Sequence, residues 1–406
     1  MSELLEKNIT KVYILTSLGS FILVGPILVL YMQENGLTLQ EIMVLQSIFA
    51  FSIVVLEVPT GYISDRFGTK VTIVLAYLIM AISHILYILS NTFLDFLVAE
   101  IFFALSFALI SGSLEAFVYN TLLSINKEDE YKKILGNMHF YSYIFAALGA
   151  ITGGFLAKYG LRFTFIVNSI NLSLTPLVAL LLVEPLKNSK IRGKESIKEV
   201  LEVAKKTFFN GSVLKYIVLF SAVIYMFNQS VFWFYQPYLK LSGVDLVYFG
   251  IIFASFQVVA AFSSKVAHKI EKRLGLLYSF ILITFLVSGS LILMGSFVYT
   301  FSFLFIYMQQ FTRAFKKIII SDAINKKIDS KYRATILSLE SFVSKLFISI
   351  VMPIIGYLEG AFSLEITLII MGVFTFILSF SLILIIRSKN GIFRENRSSK
   401  QLQRGG

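Results

Sequence analysis

Cysteine is absent from the 406 residues, so disulfides and thiolate metal sites are excluded. Histidine is nearly absent. The three present, His84, His139 and His268, are too scattered for a metal constellation, and no metal is expected. Charge is scarce: Asp, Glu, Lys and Arg make up 15% of the chain against 57% hydrophobic residues, and mean hydropathy is +0.79. A soluble chain of this length needs far more polar surface. Also missing is a small-residue cleavage site after the first apolar run, which is long enough to span a bilayer, so no cleavable leader is expected. No nucleophile–base pair, metal cluster or phosphate-cradling loop stands out, which argues against an enzyme.

What the chain has in abundance is apolar sequence in runs of about 20 residues, the length a bilayer requires. Six lie at about 12–32, 40–62, 70–89, 93–118, 136–157 and 162–183. Six more follow at about 213–239, 246–267, 275–296, 298–321, 333–357 and 365–386. They predict an all-α integral membrane protein of twelve transmembrane helices. The expected domains are an N-terminal half (1–183), a Lys- and Glu-rich connector (184–212), a C-terminal half (213–388) and a basic tail (389–406). A surface helix is expected in the connector along Ser196–Thr207.

Charge placement orients these spans. Of the 36 Lys and Arg, only Lys158, Arg162 and Lys240 are assigned to outer loops, and Lys265, Arg313 and Lys345 to spans. The rest fall on the side that also holds both termini, as the positive-inside rule expects of cytoplasmic segments. The net charge of +12 therefore reports topology, and no nucleic-acid partner is expected.

The stretch Gly61-x-x-x-Asp65-Arg66-x-Gly68-x-Lys70 joins the second and third spans. Gly61 and Gly68 permit close approach and a tight turn. Asp65 is placed to cap a neighbouring helix N-terminus. Arg66 and Lys70 hold the turn on the cytoplasmic side. This spacing resembles the signature loop of the major facilitator superfamily of secondary transporters, although Thr69 stands where a basic residue is usual. The resemblance implies two six-helix halves with both termini cytoplasmic, rocking about a midplane site, in the multi-pass pattern of a bacterial plasma-membrane protein. It also implies that the turn is a cytoplasmic gate. Ala267–Gly275, between spans eight and nine, mirrors the turn with one residue inserted. Gly149, Gly153 and Gly154 in span five resemble the glycine core of a signature of proton-coupled antiporters, with Ala150 replacing its proline. Gly149 and Gly153 share a face suited to tight packing. The segments at Glu57–Gly61, Glu115–Asn120 and Arg333–Ser338 resemble a bacterial branch of the same superfamily. The last of these is expected to present its helix N-terminus to Asp65.

Ionisable residues within spans are costly and functional by default. Glu57 lies eight residues before Asp65, roughly 12 Å along a helix. Ser111, Glu115 and Tyr119, spaced by four, are expected on one helix face. Two roles fit Glu57 and Glu115: proton-loading sites, or latches that pair with Arg66 or Lys70. Lys345 lies twelve residues beyond Arg333, roughly 18 Å deep, with Glu340 as an imperfect partner. Arg313 reads as a substrate ligand or an interfacial anchor. The aromatic and amide stretch Asn228-Gln229-Ser230-Val231-Phe232-Trp233-Phe234-Tyr235-Gln236-Pro237 is a candidate substrate surface; Trp233 and Tyr235 fit an interfacial belt equally. Gln46, Gln257, Gln309 and Gln310 are buried amides that need partners.

The expected function is a proton-coupled exporter of amphiphilic drug-like compounds or metabolites. It would work as a monomer in the bilayer on a small-molecule substrate, with the proton gradient as driving force and no cofactor. Two alternatives stand beside it: a proton symporter for a sugar or organic anion, and a lipid flippase or non-transporting membrane protein.

Overall fold

The computed structural model describes residues 2–185, 213–326, 328 and 333–389. Among these, all regular structure is helical. Ten helical stretches are long and apolar enough to cross a membrane, and they match the expected spans except the first and the tenth. The connector from residue 186 on, its expected helix, the tail beyond Lys389 and the side chain of Arg333 lie outside the described residues.

Contacts divide the chain into two units, Met1–Arg192 with Val244–Gln257, and Gly193–Gly243 with Val258–Gly406. The first unit holds α1 (Ser2–Ser20), α2 (Leu28–Glu34), α3 (Leu39–Phe67), α4 (Thr69–Leu89), α5 (Phe93–Ile110), α6 (Ser113–Ser124), α7 (Tyr131–Ala157) and α8 (Leu161–Leu180). Its core gathers Val12, Leu15, Tyr77, Phe117, Leu122 and Leu172 from α1, α4, α6 and α8. Large apolar side chains such as Phe51, Leu75 and Phe155 stay exposed, as lipid-facing positions require. Capping boxes start α3 (Thr38 with Glu41) and α5 (Thr92 with Asp95), each satisfying two amides that have no helical partner.

The first expected span is not one helix. α1 stops at Ser20, and residues 21–27, with Gly25 and Pro26, run irregularly to α2. Backbone freed this way must find partners inside the protein. α8 supplies them: Asn168 Oδ1 accepts from Leu23 N at 2.8 Å, and Asn171 Nδ2 donates to the Leu18 and Phe21 carbonyls at 3.1 and 3.0 Å.

The second unit holds α9 (Val213–Ser230), α10 (Tyr235–Leu241), most of α11 (Leu246–Leu274), α12 (Leu276–Ser296), α13 (Ile306–Asn325), α14 (Arg333–Ala361) and α15 (Leu364–Ser388). α12 packs along α15, and α9 against α14 and α15. α13, the tenth expected span, falls short of a spanning composition because it carries Arg313, Lys316, Lys317 and Asp322.

Candidate functional site

α3 and α4 meet at Gly68, whose φ of 94° suits glycine and strains other residues. The turn at Gly275, φ 80°, joins α11 to α12 in the same manner, as the internal repeat suggested. The amides opening α4 face the carboxylate of Glu184, just past α8. Thr69 N and Oγ1 donate to its Oε1 at 2.8 and 2.9 Å, and Lys70 N to its Oε2 at 2.6 Å. A Cβ on Gly68 would lie 3.0 Å from that carboxylate, so the glycine also makes its seat. The acid capping α4 is thus Glu184, and Thr69 earns its unusual place as a hydroxyl donor. Sequence reading passed over Glu184 as connector. A signal existed, since no Asp or Glu lies between Glu130 and Glu184. Glu184→Ala is expected to cost about 1 kcal/mol, the worth of a helix N-cap, and to fray the first turn of α4. Hydrogen exchange at Thr69–Thr72 reads it, and unchanged protection would remove Glu184 from this role.

A cavity of about 380 Å³ opens at this turn, lined among others by Asp65, Gly68, Glu115, Tyr119, Tyr131 and Glu184. Three carboxyl groups therefore share one space with two phenols, Tyr119 and Tyr131, which meet edge to face at 5.4 Å. Glu115 and Tyr119 share a face of α6, as their spacing implies. Ser111 leaves that face: Gly112, at φ 77°, breaks the helix between α5 and α6, and Ser111 becomes the cap of α5. Glu57 does not line the cavity. It is exposed on α3 at the end of the apolar stretch Leu39–Glu57. One turn on, Thr60 Oγ1 donates to the Ala108 carbonyl at 3.1 Å and ties α3 to α5. Gly61 lies within α3, Arg66 packs on the Tyr62 hydroxyl and the Phe67 ring, and Lys70 stands at the start of α4.

The three glycines of α7 are packing positions. A Cβ on Gly149 would come within 2.8 Å of Ile22 N, and one on Gly153 would land on the Leu23 carbonyl. Both thus face the irregular segment after α1. Gly154 meets Gly250 of α11, where a Cβ would lie 2.6 Å from the Gly250 nitrogen.

In the second unit the Glu340 carboxylate meets a base other than Lys345. The Glu340 carboxylate of α14 accepts from the hydroxyls of Ser221 (α9) and Ser344 (α14) and lies 3.6 Å from Lys316 Nζ of α13. Lys316 donates to the Ser221 carbonyl at 3.2 Å and sits 5.1 Å from the Tyr225 ring centroid. Both side chains are largely buried, at 11% and 18% exposure. Lys316 had read as part of a cytoplasmic cluster; instead it is the buried base. Lys345 is half-buried and Arg313 exposed.

The aromatic stretch is also rearranged. Pro237 has no N–H to return to the Trp233 carbonyl, and residues Val231–Phe234 tighten into a 3-10 turn between α9 and α10. Tyr235 is 1% exposed, so it is core and not an interfacial anchor. Phe232 and Trp233 are half-buried, their rings 5.4 Å apart, and Gln229 and Gln257 are half-buried as well. Asn228 and Gln309 are committed to packing. Asn228 Nδ2 donates to the Gln309 carbonyl and Oε1 at 3.1 and 2.5 Å, and Gln309 Nε2 to Val287 O and Ser290 Oγ at 3.1 and 2.5 Å.

Ionisable groups inside membrane-length stretches, with the break after α1 satisfied by side chains of α8, mark a multi-pass membrane transporter. The chain belongs to the Major Facilitator Superfamily, whose family model matches residues 12–342. It is 24% identical over 367 residues to the uncharacterised transporter YxaM of Bacillus subtilis (strain 168), covering 87% of this chain and 89% of that one. It is 21% identical over 240 residues to the quinolone resistance protein NorA of Staphylococcus aureus (strain MRSA252), covering 58% and 61%. Among solved structures, the nucleoside transporter NupG superposes with TM-score 0.78 at 15% identity, over 93% of this chain and 98% of that one. A bacterial homologue of the lysosomal transporter Spinster, inward-facing and unoccupied, gives 0.74 at 15% identity over 95% and 97%. These two likenesses concern the fold.

Proposed function

We propose that the chain is a proton-coupled secondary transporter that exports amphiphilic small molecules from a bacterial cell by alternating access. In this reading twelve spans form two six-helix halves, 1–183 and 213–388. Both termini, the connector and the basic tail are cytoplasmic, and the protein works as a monomer in the plasma membrane with no cofactor beyond the proton gradient. Glu115 is the observation that carries it: a carboxylate within the membrane-length stretch Phe93–Ser124, facing a cavity roomy enough for water, where a proton can bind and leave. The phenols beside it, Tyr119 and Tyr131, suit a ligand held mainly by apolar area. The distant likeness to a quinolone resistance protein favours export. Asp65 and the Gly68 turn fit a gate at the cytoplasmic end.

A second reading, symport of an organic anion, is favoured by one feature, the buried Lys316 ammonium. Direction of proton flux separates the two. Purified protein in liposomes, with an imposed pH gradient and a trapped pH dye, is given a quinolone or an organic acid. Export predicts proton flux opposite to substrate, lost in Glu115→Gln and retained in the exposed Glu57→Gln. Flux in the same direction as substrate establishes the symporter. Substrate movement without proton flux ends both readings and leaves Glu115 a structural latch.

A further inference from the structure

The first unit contains an ionisable group that the proposed cycle does not use. Glu100 is on α5, about seven residues from its start, hence roughly 10 Å along the helix. Glu115 lies beyond the Gly112 break, near the other end of the same expected span. Glu100 is 1% exposed. Its Oε1 accepts a hydrogen bond from Gln46 Nε2 of α3, while its Oε2 has no hydrogen-bond partner among the described residues.

The groups packed around it are neutral or turned elsewhere. From α4 the Tyr87 hydroxyl, itself buried, lies beside the carboxyl. His84, one turn earlier, bonds the Met80 carbonyl through Nδ1 and stacks edge-on to Phe103. From α2 the Tyr31 hydroxyl donates to the Tyr87 carbonyl at 3.1 Å. Arg162, at the start of α8, is exposed and donates to the Ile88 carbonyl at 3.1 Å. Asp95 is held in the α5 capping box. No cation pairs with Glu100 among the described residues. A full negative charge in that position would be buried with one amide and one phenol hydroxyl beside it and no counter-charge, an arrangement proteins avoid.

We propose that Glu100 is a second proton-binding site, protonated while α3, α4 and α5 are packed as seen and deprotonated when that packing opens to water. Two carboxyls near opposite ends of one span, Glu115 facing a cavity and Glu100 sealed, then hold protons in different stages of the cycle. The role in transport rests on the proton-coupled reading above; the protonation of Glu100 does not.

Infrared spectroscopy of the full chain in liposomes reads the carboxyl directly. The wild type at neutral pH is expected to show a buried protonated-carboxyl band that is missing from Glu100→Gln. Gln46→Met keeps the acid and removes its donor, so the same band should move in frequency and not vanish, a check that does not depend on Glu100→Gln folding normally. The band should shrink by at least half when substrate and an alkaline exterior drive the cycle. Proton flux per substrate should fall at least twofold in Glu100→Gln and recover partly in Glu100→Asp. A wild-type spectrum without a band assignable to Glu100 overturns the proposal. So does a band that stays constant through turnover, which would make Glu100 a fixed structural acid. If the band titrates while Glu115→Gln leaves proton flux intact, the Glu115 reading fails and this one stands.

Discussion

Gly153→Ala is expected to destabilise the protein by about 3 kcal/mol or more, at the upper end of the cost of overpacking. The added methyl would fall on the Leu23 carbonyl, a backbone atom with little freedom to retreat. Leu23 belongs to the irregular stretch after α1, whose amide is already tied to Asn168, so displacement would break a buried hydrogen bond as well. Gly136→Ala, on the same helix with nothing within 4 Å of the new methyl, is the control. It should be neutral or stabilising by up to about 1 kcal/mol, because alanine is the better helix former. Thermal unfolding of both variants in detergent measures the contrast. A Gly153→Ala protein as stable as wild type would mean that α7 and the segment at Leu23 do not meet as described. If it stays folded and transports substrate but no longer exchanges protons, these glycines do more than pack.

Lys316→Met is expected to cost about 3–5 kcal/mol, because removing one partner of a buried pair leaves the other charge uncompensated. Glu340→Gln should cost less. The Ser221 and Ser344 hydroxyls can still donate to the amide oxygen, and Lys316 keeps the Ser221 carbonyl and the Tyr225 ring. The double variant Lys316→Met/Glu340→Gln should recover part of the Lys316→Met loss, giving a double-mutant coupling above about 1 kcal/mol. Strict additivity would show that the two side chains do not interact. The same variants bear on transport. If an anionic substrate competes for Lys316, its transport should fall in Lys316→Met while that of a neutral amphiphile survives.

The spans were legible because burial in lipid imposes length and apolarity on each run separately. Ten runs needed no neighbour to be recognised. The turn at Gly68 was legible for a similar reason, since its positive φ is a local demand, and the matching turn at Gly275 followed from the repeat. The first span failed because its break at residues 21–27 is stabilised by Asn168 and Asn171, more than a hundred residues away. No local pattern announces that two asparagines will satisfy a distant backbone. Span four was read as one helix for want of weight on Gly112. Glu100 was overlooked because Glu57 and Glu115 stand in segments that resemble a known branch and it does not, although an acid inside the apolar run from Phe96 to Ile110 is visible in the chain.

The sequence by itself determined that this is a helical membrane protein of the major facilitator kind, where ten of its membrane-length stretches run and where the signature turn lies. These depend on hydropathy, residue type and spacing, which act over a few turns of chain. Only the tertiary structure decided the partners: Glu184 on α4, Lys316 with Glu340, Gln46 with Glu100, and Gly153 against Leu23. Each joins segments whose facing sides are set by packing, and a polar side chain in an apolar interior bonds whatever group that packing brings within reach.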